Sequence, residues 1–180
     1  MMKLDKKLSQ PEFADVRSQY NQQIEKRIKN GNFMFVEDIE DKNFSRYQKS
    51  FAPVPYSVKE SSENTKVRPC VNSSFSTNGN PSFNDAQFSG SSGNFPIKKI
   101  LTKLRSVKEV AQCDVTNFYQ SIHTELKDSA LNQIKMKVNK NREPVMGEAE
   151  GEFKDLICTR VNYGNKSSQF LSSKLHPKVS

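Results

Sequence analysis

The stretch "AQCDVTNFYQSI", residues 111–122, places one carboxylate, Asp114, in a run with the alternation of a β-strand. Such a carboxylate can hold a divalent cation beside the phosphates of a nucleotide. Tyr119 follows five residues later, and a flat ring at that spacing can lie beneath a sugar. An aspartate that caps a turn, followed by core aromatics, produces the same pattern. The stretch therefore predicts a strand over residues 107–115 and leaves two interpretations of its acid open.

The bulk composition limits the class of protein. The chain has 180 residues and a formal net charge of +8, and 34% of its residues are hydrophobic. This length and composition allow one ordinary domain or parts of two. The basic surplus favours a polyanionic partner, with nucleic acid first and a membrane surface second, although solubility alone also accounts for it.

The sequence predicts neither secretion nor a membrane-spanning segment, and of the two polyanionic partners we expect nucleic acid and not a membrane. The N-terminus, "MMKLDKKLSQ", lacks the apolar segment of a secretory signal, and no apolar run approaches the length of a bilayer span. The three cysteines, Cys70, Cys113 and Cys158, are far apart and form no Cys-x-x-Cys pair. Buried thiols in a reducing compartment are therefore expected rather than a zinc site.

The spacing of apolar residues predicts three helices. The first covers residues 11–29 and is followed by Gly31 in the position of a C-terminal cap. A short basic amphipathic helix is predicted over residues 95–105, and a third helix over residues 123–138. The side chains that these helices are expected to bury are Phe13, Val16, Tyr20, Ile24 and Ile28; Ile97, Ile100, Leu101 and Leu104; and Leu126, Ala130, Ile134 and Val138.

A basic β-hairpin is predicted in the first half of the chain. Two strand-like segments, "YSVKE" and "TKVRPCVN", flank the turn residues "SSEN". Residues 73–93 are rich in Ser, Asn and Gly and predict a loop in which Asn84 and Asp85 could anchor a turn. Farther along, "FKDLICTRV" predicts a strand and "NYGNKSS" a turn.

The hairpin and the glycine turn each have a chemical and a plainer interpretation. Arg68 with a lysine on the hairpin could clamp triphosphate oxygens, because arginine binds two at once; a solvated hairpin face is the alternative. Gly164 permits a close backbone approach, and Tyr163 beside it could stack on a base. A glycine turn alone is equally typical of an ordinary loop.

In their order along the chain, these motifs resemble the fingers and early palm of a reverse transcriptase, most similar to those of Bel/Pao-type LTR retrotransposons. The segment "VKESSENTKVRPCVNSSFSTNGNPSFNDAQFSG" resembles that family's lysine-arginine strand and "LND" loop. "CDVTNFYQSI" resembles its first metal-binding motif, and "RVNYGNKSSQFL" resembles its "FG…SAPFL" segment. The resemblance covers roughly residues 20–175. It implies an α/β (α+β) fold, a partial right-hand polymerase with an antiparallel sheet backed by helices.

The resemblance also implies roles for individual residues. Asp114 would be a catalytic magnesium ligand, with two ions in a complete enzyme, and Val115 would offer its backbone. Tyr119 would be the sugar gate, and Tyr163 and Gly164 would form the wall of the incoming-nucleotide pocket. The triphosphate clamp would consist of Arg68 with Lys66 or Lys59.

The same resemblance divides the chain into an N-terminal helical segment (1–52), a fingers-like region with the basic hairpin (53–109) and a partial palm (110–180). The implied partners are an RNA/DNA primer-template, deoxynucleoside triphosphates and the remainder of a retroelement polyprotein. The implied location is the cytoplasm, with a virus-like particle or the nucleus as alternatives.

Several positions depart from the family pattern. Asn72 stands where the family usually has aspartate, Phe83 replaces the leucine of "LND", and Gln169 replaces a proline. The family's second metal motif, an aromatic-x-Asp-Asp hairpin, does not follow "YGNKSSQF" before Ser180. Asp155 in "FKDL" precedes the glycine turn and is interpreted as a strand-edge residue.

A two-metal site needs more than one carboxylate, so the chain is expected to be a portion of an RNA-directed DNA polymerase that is inactive by itself. One alternative is a non-catalytic nucleic-acid-binding remnant of a retroelement that keeps only the basic surface. Another is a structural or interaction domain in which the positive charge is incidental.

Overall fold

The fold mixes α-helices with antiparallel β-strands, and the computed structural model describes it for residues 2–62, 66–76, 81–90, 97–110, 118–168 and 170–171. The helices are α1 (Met2–Leu8), α2 (Ala14–Lys29), α3 (Ile97–Arg105) and α4 (Leu126–Ala130). The strands are β1 (Phe33–Phe35), β2 (Tyr56–Val58), β3 (Val67–Pro69), β4 (Gln133–Val138) and β5 (Glu152–Cys158). Short 3-10 turns cover Pro11–Phe13, Val36–Asp38, Phe44–Arg46 and Phe118–Ser121.

Helix α2 confirms the helix predicted from apolar spacing, with a 3-10 turn in place of its first three residues. Gly31 ends it with a φ of +68°, a left-handed conformation that suits glycine. The Gly31 N–H donates to the Ile28 carbonyl at 2.9 Å, and the Asn32 N–H donates to the Arg27 carbonyl at 2.8 Å, which together form a Schellman motif. The predicted stripe faces the core, with Tyr20 and Ile24 fully buried and Phe13, Val16 and Ile28 packed against the same cluster.

A three-stranded antiparallel sheet in the order β1-β5-β4 provides the other side of this core. Alternate residues of β4 point to one face, so Ile134, Met136 and Val138 are all fully buried. Phe33 and Phe35 of β1 join the same cluster. The apolar stripe of α2 therefore packs on this sheet, as expected for an antiparallel sheet backed by a helix.

The hairpin of β2 and β3 forms as predicted and is attached to α2. The Arg27 guanidinium donates to the Pro69 carbonyl at 2.7 Å, and the Tyr20 hydroxyl donates to the Val54 carbonyl at 2.8 Å. Both donors are largely removed from water, and this burial lowers the pKa of Arg27 and raises that of Tyr20. The hairpin is thus held by one buried and one partly buried hydrogen bond, and Val67 and Pro69 of β3 are buried, whereas Arg68 between them is exposed.

The helix predicted over residues 123–138 is wrong in its second half. Helix α4 covers only five residues, and the chain then continues as β4. The sequence "QIKMKV" alternates between apolar and basic residues, which is a strand pattern, and β5 supplies the hydrogen-bonding partner. Ala130, Ile134 and Val138 are buried as predicted, but the last two are buried by strand alternation rather than on a helix face.

Helix α3 forms, but the burial predicted for its apolar side is wrong where it is described. Leu101 is 51% exposed and Leu104 is 39% exposed. The strand predicted over residues 107–115 is absent from residues 107–110, and its remaining five residues lie outside the described part of the chain. Amphipathic spacing predicts that a helix has an apolar side, but it does not supply the element that covers it.

Two further interpretations are corrected. Asp155 lies in the middle of β5 rather than at its end, and its carboxylate pairs with Lys135 of β4 at 3.2 Å. Cys158 is buried as predicted, whereas Cys70 is exposed.

Helix α1 lies in the predicted N-terminal helical segment, but the spacing of apolar residues does not predict it as a separate helix. Leu8 is fully buried in the core, and the Asp5 carboxylate joins the helix to the loop after β4. One of its oxygens accepts from the Gly147 N–H at 2.6 Å, and the other lies 3.4 Å from the Lys137 ammonium.

The strands connect distant parts of the chain. Strand β1, from segment 1–52, pairs with β5, from segment 110–180, and both contribute to one hydrophobic cluster with Val67 of the hairpin. The three-segment division remains a prediction. Across the described ranges, no helix combines the length and apolar character needed to cross a bilayer.

Candidate nucleotide-binding site

Two aromatic residues that the sequence predicted for one pocket lie in contact. Tyr119 is half-buried in the 3-10 turn Phe118–Ser121, and Tyr163 lies in the turn after β5. Their ring centroids are 4.9 Å apart and their planes are nearly perpendicular, at 88°. This edge-to-face geometry is favourable for aromatic rings. Tyr163 is 61% exposed, so the pair presents a ring to solvent.

Backbone pairing explains why these two turns meet. Residues 122–124 run antiparallel to residues 159–161, with a bridge between His123 and Arg160. The Val161 N–H donates to the Ile122 carbonyl at 3.0 Å, and the Thr124 N–H donates to the Thr159 carbonyl at 3.1 Å. The pairing brings the residues just before and just after it together, although 44 positions separate the two rings in sequence (163 − 119).

Gly164 is required at its position by a close backbone approach. A Cβ placed on it would lie 2.6 Å from the Val71 carbonyl oxygen, which is closer than side-chain carbons approach in proteins. Val71 follows β3 by two residues, so the glycine turn rests against the chain as it leaves the basic hairpin. The close approach found here is to protein backbone, and the predicted approach of Gly164 to a nucleotide stays a prediction.

The loop that contains "FND" holds the glycine turn from another side. The Asn84 side chain donates to the Gly164 carbonyl at 2.9 Å and accepts from the Lys166 N–H at 2.8 Å. Within the loop, the Asp85 carboxylate accepts from both the N–H and the hydroxyl of Ser82, at 2.8 and 2.7 Å. These two hydrogen bonds favour the charged form of Asp85 and so lower its pKa, and they close the turn of the loop next to Asn84.

The three predicted clamp residues lie together on the hairpin. The Lys59 N–H donates to the Lys66 carbonyl at 2.8 Å, and Arg68 is opposite Ser57 in the strand register. All three side chains are exposed, and the Arg68 guanidinium donates to the Ser62 hydroxyl at 3.4 Å. Exposed cations on a two-stranded arm can reach an anion in solution, so the clamp stays a prediction.

Asp114 and Val115 lie outside the described residues. Within the described ranges, no group of three or more histidine, cysteine, aspartate or glutamate side chains is arranged to hold a metal ion. The magnesium site therefore remains a prediction based on Asp114.

Sequence reasoning identified Asn84 only as a possible turn anchor and missed its contacts with the glycine turn. The residue type could have indicated these contacts. Asn84 and Asn165 lie in two loops, and an amide side chain can both donate to a backbone carbonyl and accept from a backbone N–H. Sequence reasoning also missed a cavity of about 230 Å³ behind the turn. Asn132 lines this cavity, and its buried side-chain oxygen accepts no hydrogen bond from the described residues.

No protein-family model, curated protein or solved structure matches this chain. The resemblance to a reverse transcriptase therefore rests on the quoted motifs alone.

Proposed function

We propose that this chain contributes the incoming-nucleotide pocket of an RNA-directed DNA polymerase. The observation that carries the proposal is the contact between Tyr119 and Tyr163, 4.9 Å apart, in a turn that rests on the exit of the basic hairpin. The glycine turn thus contacts Tyr119 through Tyr163 and the end of the hairpin segment through Gly164, and these two contacts support the proposal.

Each part of this region has a role in the proposed pocket. The exposed ring of Tyr163 is available to stack on a base. Tyr119, at its edge, would lie under the sugar and exclude a 2′-hydroxyl. The cations of the hairpin would orient the triphosphate, which places its α-phosphorus for attack by a primer 3′-hydroxyl and release of pyrophosphate.

Magnesium, when bound at Asp114, would neutralise charge on the phosphate oxygens. Two ions need more carboxylates than the one that the resemblance supplies. The proposed role of residues 1–180 alone is therefore binding of nucleotide and primer-template, without extension of the primer.

The test of the pocket is binding of a fluorescein-labelled deoxyuridine triphosphate, followed by fluorescence anisotropy with the full chain. Tyr163→Ala is expected to weaken binding by about 5- to 150-fold, since base stacking on an aromatic ring contributes about 1–3 kcal/mol. Tyr119→Ala is expected to reduce the preference for unlabelled dATP over ATP in competition.

Tyr47→Ala is the matched control, because it removes one ring of another edge-to-face pair, Phe44 and Tyr47, which lies outside the hairpin and the glycine turn. It should leave nucleotide affinity unchanged. Equal losses in all three variants, or no binding to the unaltered chain, would contradict the pocket. Primer extension by residues 1–180 in magnesium would contradict the expectation of inactivity.

A second candidate function is binding of nucleic acid without a nucleotide pocket. It is favoured by the net charge of +8 and by exposed cations on two elements: Lys59, Lys66 and Arg68 on the hairpin, and Lys98 and Lys99 on α3. Binding of a primer-template should then fall steeply with salt and should not respond to Tyr163→Ala.

A further inference from the structure

We propose that Asn84 is a positioning residue of the candidate nucleotide-binding site, because its side-chain amide holds the turn of Tyr163 and Gly164 through two hydrogen bonds. The identity of the ligand rests on the proposed function. The contacts of Asn84 that support the inference are independent of that function.

The two hydrogen bonds imitate a strand partner. Asn84 Nδ2 donates to the Gly164 carbonyl at 2.9 Å, and Asn84 Oδ1 accepts from the Lys166 N–H at 2.8 Å. The Gly164 carbonyl and the Lys166 N–H flank Asn165, and in an antiparallel ladder such a pair of flanking groups bonds the backbone of one residue on the neighbouring strand. A primary amide offers a donor and an acceptor at once, which a carboxylate cannot do. The geometry therefore requires this residue type at position 84.

Asn84 is itself fixed by the segment that leaves the hairpin. Its backbone N–H donates to the Ser73 carbonyl at 3.0 Å, and its Nδ2 also donates to the Ser74 hydroxyl at 2.7 Å. The Ser73 hydroxyl donates to Asn165 Oδ1 at 2.7 Å, and Ser73 is buried. The loop and the turn are thus attached to the same stretch of chain, so the amide of Asn84 has little freedom to follow a moving turn.

The position of Tyr163 depends on this attachment. Its side chain is 61% exposed, so burial contributes little to holding its ring in place. The Val71 carbonyl leaves no space for a side chain at Gly164. The backbone of residues 163–166 is therefore restrained by Val71 and by Asn84, and we expect the contact of Tyr163 with Tyr119 to depend on that backbone.

The discriminating variant is Asn84→Asp. At neutral pH a carboxylate keeps the acceptor for the Lys166 N–H but places a second oxygen against the Gly164 carbonyl. A protonated carboxyl regains one donor. The lost contact should therefore return as the pH falls through the pKa of the new side chain, which is about 4 for an ordinary aspartate. Asn84→Ala lacks both groups and should show no such recovery.

Asn21→Asp is the matched control. Asn21 is half-buried like Asn84, and its amide bonds the N–H and the carbonyl of Met146 at 3.1 and 3.2 Å. The same substitution there removes the same kind of contact, between α2 and the loop after β4. It should lower the melting temperature without affecting the tyrosine pair.

Two measurements on the full chain decide the proposal: the proton NMR cross-peak between the rings of Tyr119 and Tyr163, and the affinity for the fluorescein-labelled deoxyuridine triphosphate. At pH 7, Asn84→Asp is expected to lose the cross-peak and to bind the nucleotide about fivefold more weakly or worse, as loss of a hydrogen bond predicts. Asn21→Asp should retain both.

The proposal is overturned if Asn84→Asp keeps the cross-peak at pH 7, or if Asn21→Asp abolishes it equally. If the unaltered chain binds no nucleotide, the proposed function fails. The cross-peak then still decides whether Asn84 positions Tyr163.

Discussion

At the scale of single residues, Gly164 shows how a side chain that is absent can shape a site. The space that a Cβ would occupy is taken by the Val71 carbonyl, so the turn and the hairpin exit approach each other as closely as backbone allows. Gly31 is glycine for another reason, because its φ of +68° suits a residue without a Cβ and nothing lies within 4 Å of the missing atom.

These two glycines yield a paired prediction. Gly164→Ala should reduce the free energy of unfolding by about 1–3 kcal/mol through steric overlap, and it should also weaken nucleotide binding because the turn must shift. Gly31→Ala should cost a similar amount, about 1–2 kcal/mol, through its left-handed backbone, with nucleotide affinity unchanged. Urea denaturation and nucleotide anisotropy measure the two effects. Equal nucleotide affinities in both variants would show that the turn is not part of a site.

At the scale of elements, burial separates β4 from α3 although both carry apolar residues at regular intervals. Strand β4 pairs with β5 and buries one face in the hydrophobic cluster that also contains Tyr20 and Ile24 of α2, and Ile134 has no exposed surface. In α3, Leu101 and Leu104 remain substantially exposed. The periodicity of apolar residues thus predicts which side of an element could be buried. Whether that side is buried depends on a neighbouring element that covers it.

This contrast predicts different costs for similar truncations. Ile134→Ala should lower the free energy of unfolding by about 2–4 kcal/mol, since it leaves a cavity in the core. Leu101→Ala should change it by less than about 0.5 kcal/mol. Chemical denaturation of both variants at one temperature provides the measurement. A large loss for Leu101→Ala would mean that α3 packs on the core.

At the scale of the whole molecule, ionisation of the Cys158 thiol is coupled to global unfolding. It is fully buried at the end of the central strand, and removal from water raises its pKa to about 12. Unfolding returns the thiol to its ordinary pKa, about 8.5. Above that pH the unfolded state loses the proton while the folded state keeps it, so the free energy of unfolding falls as the pH rises.

At pH 9.5, one pH unit above the pKa of the unfolded thiol, this thiol is expected to lower the free energy of unfolding by about 1.4 kcal/mol. Cys158→Ala should be less stable at pH 7 but should show a correspondingly smaller decline between pH 7 and 9.5. Urea denaturation of the two proteins over this range tests the difference. Parallel curves would place the thiol in contact with water in the folded state.

The local sequence was sufficient to predict those elements whose apolar pattern and whose terminating residues both lie within the element or next to it. The stripe of α2 has a 3.6-residue period and a glycine cap, and the hairpin has two short strands around turn residues, so both form as predicted. Strand β5 is equally clear. The sequence also brought Tyr119, Tyr163 and Gly164 into one hypothesis, through the order of the motifs that contain them.

Tertiary structure decided what depends on distant partners. Residues 133–138 pair along their whole length with β5, and β1 pairs with the other side of β5 at residues 156–158. The contact of the tyrosine rings and the two hydrogen bonds of Asn84 likewise join residues 44 and about 80 positions apart. Local propensity cannot encode such contacts, because their geometry exists only once the sheet and the loops have packed together.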